Sequence, residues 1–375
     1  MADPKNLLEL IDQMEPGIRK AFRQSLANIR SDVQFAALES AIRRGDVAAA
    51  VRAIGLGESY FRPLDEALRA AHLAGGDWTM KSIKRAARRA GTSITGQFDS
   101  RNIRAEGILR QFSSQRITNI SQTIRIAVQE TLTTAIEAGR APRSVALDLV
   151  GRVGPSGVRV GGVIGLDPSR SALVSDMRTS LSSANGVGVL RYDENGRPVR
   201  KFWIGSDGRL KSAYSIRDRR FDGAIKNAIL TGSPIPESQI NKMTSAYTGR
   251  LQRQRGEAIA RTELLGSLHA AQDEGVQQIV DSGQVEQDAV SGVWDASGDM
   301  FTRDDHRNAD GQIRKHGEPF DVGGSMMMRP GDSSLGAPAK QIVNCRCYKR
   351  IDIDFMLGLS ERLGPDELTL VRALL

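Results

Sequence analysis

Apolar residues recur every three to four positions over most of the first 280 residues, the spacing that lines one face of a helix. Residues 3–75 are expected to form several helices, broken at Gly45, Gly55, Gly57, Pro63, Gly75 and Gly76. A basic helix follows around 79–90. A longer one then carries Ile108, Phe112, Ile117, Ile120, Ile124, Val128, Leu132 and Ile136 on one stripe, which reads as core. Gly139 ends it, and Pro142 opens a short successor that stops at Gly151. Glycines then crowd 151–166, at Gly151, Gly154, Gly157, Gly161, Gly162 and Gly165. The run lacks the Gly-Lys-Ser/Thr ending of a phosphate-binding loop, so it reads as a flexible hinge. Asp167 and Pro168 make a good helix start.

Between 187 and 215 the pattern changes. Asn195-Gly196 and Asp207-Gly208 separate short stretches of Val, Tyr, Phe, Trp and Ile, which predicts a small antiparallel meander. Helical spacing returns from 218 to about 282, first through Ile225 and Ile229. After Pro234 and Pro236 it continues through Met243, Tyr247, Leu251, Ile259 and Leu264. From 283 onward Gly and Pro are dense and the elements are short strands and loops, with a final short helix expected over 359–375. The fold class is therefore α+β. A helical region spans 1–140, and a second spans 141–282 with the meander inserted at 187–215. A small α+β module occupies 283–357, fed by the helix at 255–282, and a helical tail occupies 358–375.

Charge changes this picture locally. The net charge is +8, yet residues 81–130 hold ten Lys and Arg against three Asp and Glu. The basic segment, 81–126, comprises Lys81, Lys84, Arg85, Arg88, Arg89, Arg101, Arg104, Arg110, Arg116 and Arg125. Such a cluster suits DNA or an acidic protein face, and it equally fits a solvated helix face. The N-terminus has acids at Asp3, Glu9 and Asp12 and no long apolar core, so no signal peptide is expected. No apolar run approaches the roughly 20 residues of a membrane helix. A soluble, cytoplasmic product is the expectation. The two cysteines, spaced Cys-Arg-Cys, suit a reducing compartment or a metal better than a cystine.

The candidate chemistry lies between 260 and 347. Three readings stand side by side. His306, Cys345 and Cys347 offer imidazole and thiolate to zinc, with Asp299 or Asp310 as a further ligand. Asp299 or Asp304 with His306 would make an acid–base pair. The favoured reading is architectural: Asp and Asn cap turns, Asp310-Gly311 and Pro330-Gly331-Asp332 form them, and Trp294 and Phe320 supply a small core. Arg261 and Arg303 would brace loops by pairing with carboxylates, Glu263 being a candidate partner for one of them.

The ordered series Ala260-Arg261-Thr262-Glu263, Trp294, Asp299, Arg303, His306, Asp310-Gly311, Pro319-Phe320, Pro330-Gly331-Asp332 and Asn344-Cys345-Arg346-Cys347 resembles the phage Mu F-like minor head protein family. Arg217-Asp218-Arg219-Arg220-Phe221-Asp222 upstream is similar as well, so the resemblance covers about 140–350. It implies a virion or procapsid component present in few copies, associated with the portal vertex and linked to head assembly and DNA packaging or delivery. It implies portal or capsid proteins as partners, no enzymatic activity and no required cofactor. The protein would sit in the host cytoplasm during assembly and then in the virion head. The alternative is a metal-dependent, nuclease-like enzyme using Asp299, His306 and the Cys345/Cys347 pair.

Overall fold

A computed structural model describes residues 4, 6–154, 157–182, 191–192, 198–199 and 201–357. Helices dominate the first half: α1 (Leu7–Asp32), α2 (Phe35–Arg43), α3 (Val47–Ile54), α4 (Arg62–Arg89), α5 (Ile103–Glu137) and α6 (Pro142–Val150). A two-residue hairpin, β1 (Arg152–Val153) with β2 (Arg159–Val160), precedes α7 (Pro168–Ser182). Two more antiparallel pairs follow: β3 (Arg191–Tyr192) with β4 (Pro198–Val199), then β5 (Phe202–Ile204) with β6 (Leu210–Ser212). Next come α8 (Asp222–Thr231), the 45-residue α9 (Glu237–Asp281), β7 (Val290–Asp295) and α10 (Asp304–Asn308). Strands β8 (Ile313–Lys315), β9 (Phe320–Val322) and β10 (Ser325–Met327), helix α11 (Ala339–Ile342) and β11 (Tyr348–Ile353) complete the order. The α+β class follows directly. Among the described residues no helix is long and apolar enough to cross a membrane.

Several helix ends fall where local chemistry puts them. Gly139 (φ 61°) follows α5, Pro142 opens α6 and Gly151 caps it. Asp167 Oδ1 accepts the Arg170 N–H at 2.9 Å, capping α7. Gly75 and Gly76, however, do not break the chain, and α4 runs straight through them. A Cβ on Gly75 would lie 2.9 Å from Leu268 Cδ2 and 3.2 Å from Ala271 Cβ, and one on Gly76 would collide with the Phe98 ring. These glycines serve close packing against α9 and the segment after α4, a role that local sequence does not signal.

The glycine-rich run is likewise not a loose hinge where it is described. Residues 161–166 are buried. A Cβ on Gly162 would sit 2.6 Å from the Leu149 carbonyl oxygen, so its positive φ and its missing side chain are both required. Where a single meander is expected, two separate two-stranded antiparallel pairs are found, with Asp207-Gly208 turning the second. Residues 183–190 and Asn195-Gly196 lie outside the described residues, as does the expected helix at 359–375.

The chain forms two compact units, and neither is a consecutive stretch. One comprises Met1–Phe22, Pro63–Arg116 and Glu257–Leu375, the other Arg23–Arg62 and Ile117–Gly256. The sequence reading divides the chain consecutively instead, because helical periodicity reports a buried face without naming its partner. In the first unit Met80, Ile83 and Ala87 of α4 pack with Val276 and Ile279 of α9 and Val290 of β7. In the second, Val174, Met177 and Leu181 of α7 pack with Phe202, Ile225, Met243 and Tyr247. Arg178 anchors that second core, donating to Glu237 at 2.9 Å and to Asp148 at 3.1 Å.

Candidate functional site

The residues after 283 are organised by a three-stranded antiparallel sheet with β7 between β11 and β8. Trp294 on β7 is fully buried. Its ring meets those of His306 and Phe320 edge-on, each at 5.5 Å between centroids. Phe320 begins the β9–β10 hairpin, turned by Gly323-Gly324, both at positive φ. The small core expected from Trp294 and Phe320 is thus formed, and His306 is part of it.

His306 sits on α10 and is 1% exposed, while Cys345 and Cys347, each also 1% exposed, come from the turn before β11. The His306 Nδ1 lies 3.4 Å from Cys347 Sγ and 3.5 Å from Cys345 Sγ. On the other edge of the ring, Nε2 is 3.1 Å from Gln341 Oε1, and Gln341 Nε2 donates to Asp305 Oδ2 at 2.6 Å. Because the amide turns its N–H toward a carboxylate, its oxygen must accept from His306, which fixes the proton on Nε2. The Nδ1 lone pair therefore faces the two sulfurs. The Cys347 S–H directed at Cys345 pulls the Cys345 thiol below its usual range, against its burial. The same bond, with burial, pushes Cys347 up.

The acid–base pairing is not formed. Asp299 accepts from Phe301 N at 2.9 Å and from Thr302 Oγ1 at 3.1 Å, and pairs with Arg346 at 2.6 Å, which holds its carboxyl low. Asp304 is exposed and pairs with Arg307. The carboxylate that does reach His306 is Asp305, through Gln341. Neither was singled out by sequence.

Other expected motif residues take structural bonds. Arg261 pairs with Asp12 and Glu15. Glu263 pairs with neither Arg261 nor Arg303 but with Arg116, at 2.9 Å, and Arg116 also donates to the Glu263 carbonyl at 2.6 Å. Arg303 donates to the Val343 carbonyl at 2.6 Å. Asp310 accepts from Ala296 N, and Gly311 N–H donates to Trp294 O, both at 2.8 Å. Asp332 accepts from Met328 N and Ser334, and Gly331 packs on Leu265. Asn344 has φ 58° and donates its N–H to Thr262 Oγ1.

A second buried polar group escaped the sequence reading. His269 on α9 donates from Nδ1 to the Pro330 carbonyl at 3.2 Å and accepts the Lys349 N–H at Nε2. Asp273, one turn on, pairs with the Lys349 ammonium and with Arg329 at 2.8 Å. Burial alone would raise the Asp273 carboxyl, but Lys349 and Arg329 overcome it and hold it at about 2.

The ten basic residues divide by environment. Lys81, Arg88, Arg89, Arg101 and Arg110 are exposed. Arg104, though partly exposed, clamps Glu274 and Asp281, Arg116 holds Glu263, and Arg125 donates to the Leu56 carbonyl at 2.9 Å. Lys84 reaches the Gly96 carbonyl and Arg85 the Ser82 hydroxyl.

No curated protein and no solved structure gives a significant match to the chain. One family model does match, that of the Phage Mu protein F like protein, over residues 220–350. This span is shorter than the resemblance suggested, beginning at the Arg220 turn and running through β7, α10 and the Cys-Arg-Cys turn into β11. The match supports assigning residues 220–350 to the Phage Mu protein F like family.

Proposed function

We propose that the chain is a structural minor head protein of a tailed phage or prophage, acting in head morphogenesis at the portal vertex. It assembles in the host cytoplasm and enters the virion head, with portal or capsid proteins as partners and DNA as a further contact. The observation that carries this reading is the Mu F-like segment and the way its polar residues are spent. Arg261, Glu263, Asp299, Arg303, Asp310 and Asp332 each bond to backbone or to an opposite charge within the protein. Carboxylates and guanidiniums committed in this way stiffen loops, which suits a docking module that converts no substrate. The exposed cations of 81–110 supply a surface for DNA or an acidic partner.

Incorporation tests the proposal. The chain, tagged and expressed with the other head genes of its phage or prophage, is expected to co-sediment with portal-containing procapsids in few copies per particle. Its deletion should leave aberrant or unpackaged heads. A chain absent from purified heads, with normal heads formed without it, would overturn the reading.

A further inference from the structure

The convergence of His306, Cys345 and Cys347 carries an inference that does not depend on the head-protein role. Their ligand atoms lie within 4.8 Å of one another and all three side chains are buried. A tetrahedral zinc ion with Zn–N near 2.05 Å and Zn–S near 2.3 Å places nitrogen and sulfur about 3.6 Å apart. The two observed separations, 3.4 and 3.5 Å, are close to that edge.

Both sulfurs approach the same Nδ1, whose single lone pair accepts only one S–H. A chain of thiol hydrogen bonds uses one of these two short approaches, whereas a shared ion uses both. A second observation is independent of the sulfurs. The Asp305–Gln341–His306 chain protonates Nε2 and aims the opposite lone pair at the thiols, an outer-shell arrangement typical of metal-bound histidine.

We propose that His306 Nδ1, Cys345 Sγ and Cys347 Sγ bind one zinc ion, with the fourth position left to a water or other non-protein ligand. The ion replaces the thiol protons, which leave to solvent on binding, and ties α10 to the turn before β11. Ligand softness selects zinc over magnesium or calcium, which take oxygen ligands.

Metal content of the full chain, tag removed and gel-filtered, tests this. About one zinc per chain is expected, and cobalt substitution should give the intense thiolate-to-cobalt and tetrahedral d–d bands. Cys345→Ser with Cys347→Ser should abolish both. Gln341→Ala, which keeps all three ligands, should leave a folded chain whose zinc affinity falls roughly 10- to 100-fold. A folded chain that stays metal-free in micromolar zinc, or that carries a Cys345–Cys347 disulfide after purification under reducing conditions, would overturn the site. So would zinc content unchanged by the double serine variant.

Discussion

At the scale of single residues, the core after residue 260 is tied together by buried polar side chains with remote partners, as where Arg116 donates to the Glu263 carbonyl and His269 meets that of Pro330. His306, Trp294 and the two cysteines stood out because the chain uses few such residues and places them close together. Gln341, Asp305 and Arg116 are common types, and their roles arise from partners far along the chain, such as Glu263 lying 147 positions from Arg116. His269 and His72, although histidine is rare in the chain, were hidden because their partners also lie far along it, and they carry a pH dependence. Burial lowers His269 to about 3, with Lys349 and Arg329 adding to the fall and Asp273 opposing it. Burial also lowers His72 to about 4, with Arg116 and Arg329 adding and Glu274 and a Ser267 backbone bond opposing. Unfolded histidine titrates near 6.5, so below that pH the unfolded chain binds protons that the folded chain refuses. Stability is therefore complete above about pH 6.5 and falls as pH drops toward 4, by about 1.4 kcal/mol per pH unit for each histidine. Trp78 and Trp294 report the unit that holds both histidines once Trp203 is changed to Phe. Urea unfolding of that chain should show the slope, and His269→Gln should lower it by about 1.4 kcal/mol per pH unit. Equal stability at pH 7 and pH 5 would refute the argument.

At the scale of elements, boundaries were legible wherever a local rule decides them, as at Gly139, Pro142, Gly151 and Asp167. They were not legible at Gly75 and Gly76, where glycine answers to a neighbouring helix and the backbone stays helical. Glycine in a helix normally costs roughly 0.5–1 kcal/mol relative to alanine, so its retention needs a reason. Gly75 has one, since Leu268 and Ala271 of α9 occupy the space a side chain would need. Gly107, inside α5 and exposed, has none within 4 Å of its absent Cβ. The two should therefore respond in opposite directions. Gly107→Ala is expected to stabilise by about 0.5–1 kcal/mol. Gly75→Val overfills the contact between α4 and α9 and is expected to cost about 1–3 kcal/mol. Thermal unfolding of the two variants beside the parent decides it, and stabilisation by Gly75→Val would show that the helices are not packed as closely as described.

At the scale of the whole molecule, charge was the feature most easily overread from sequence. Ten cations between 81 and 125 look like one polyanion site, yet Arg104, Arg116 and Arg125 face partners within the protein. Lys84, Arg85 and Arg110 also bond within the chain, to Gly96, Ser82 and Glu106, so what the fold leaves for a polyanion is Lys81, Arg88, Arg89 and Arg101, all exposed. Each phosphate neutralised on duplex DNA contributes about −0.9 to the slope of log affinity against log salt. Four contacts therefore limit the slope from this face to about −3.6, far from the −9 that ten would give. Fluorescence anisotropy with a short duplex between 50 and 200 mM salt measures it. A slope between about −3 and −4 is expected for the parent. The quadruple Gln variant at those positions should flatten it to near zero with thermal unfolding unchanged. A parent slope near zero would remove DNA as a partner and leave an acidic protein surface as the occupant of this face. A slope as steep as −9 would instead mean that the internally paired arginines release their carboxylates on binding, which the clamp of Arg104 on buried Glu274 argues against.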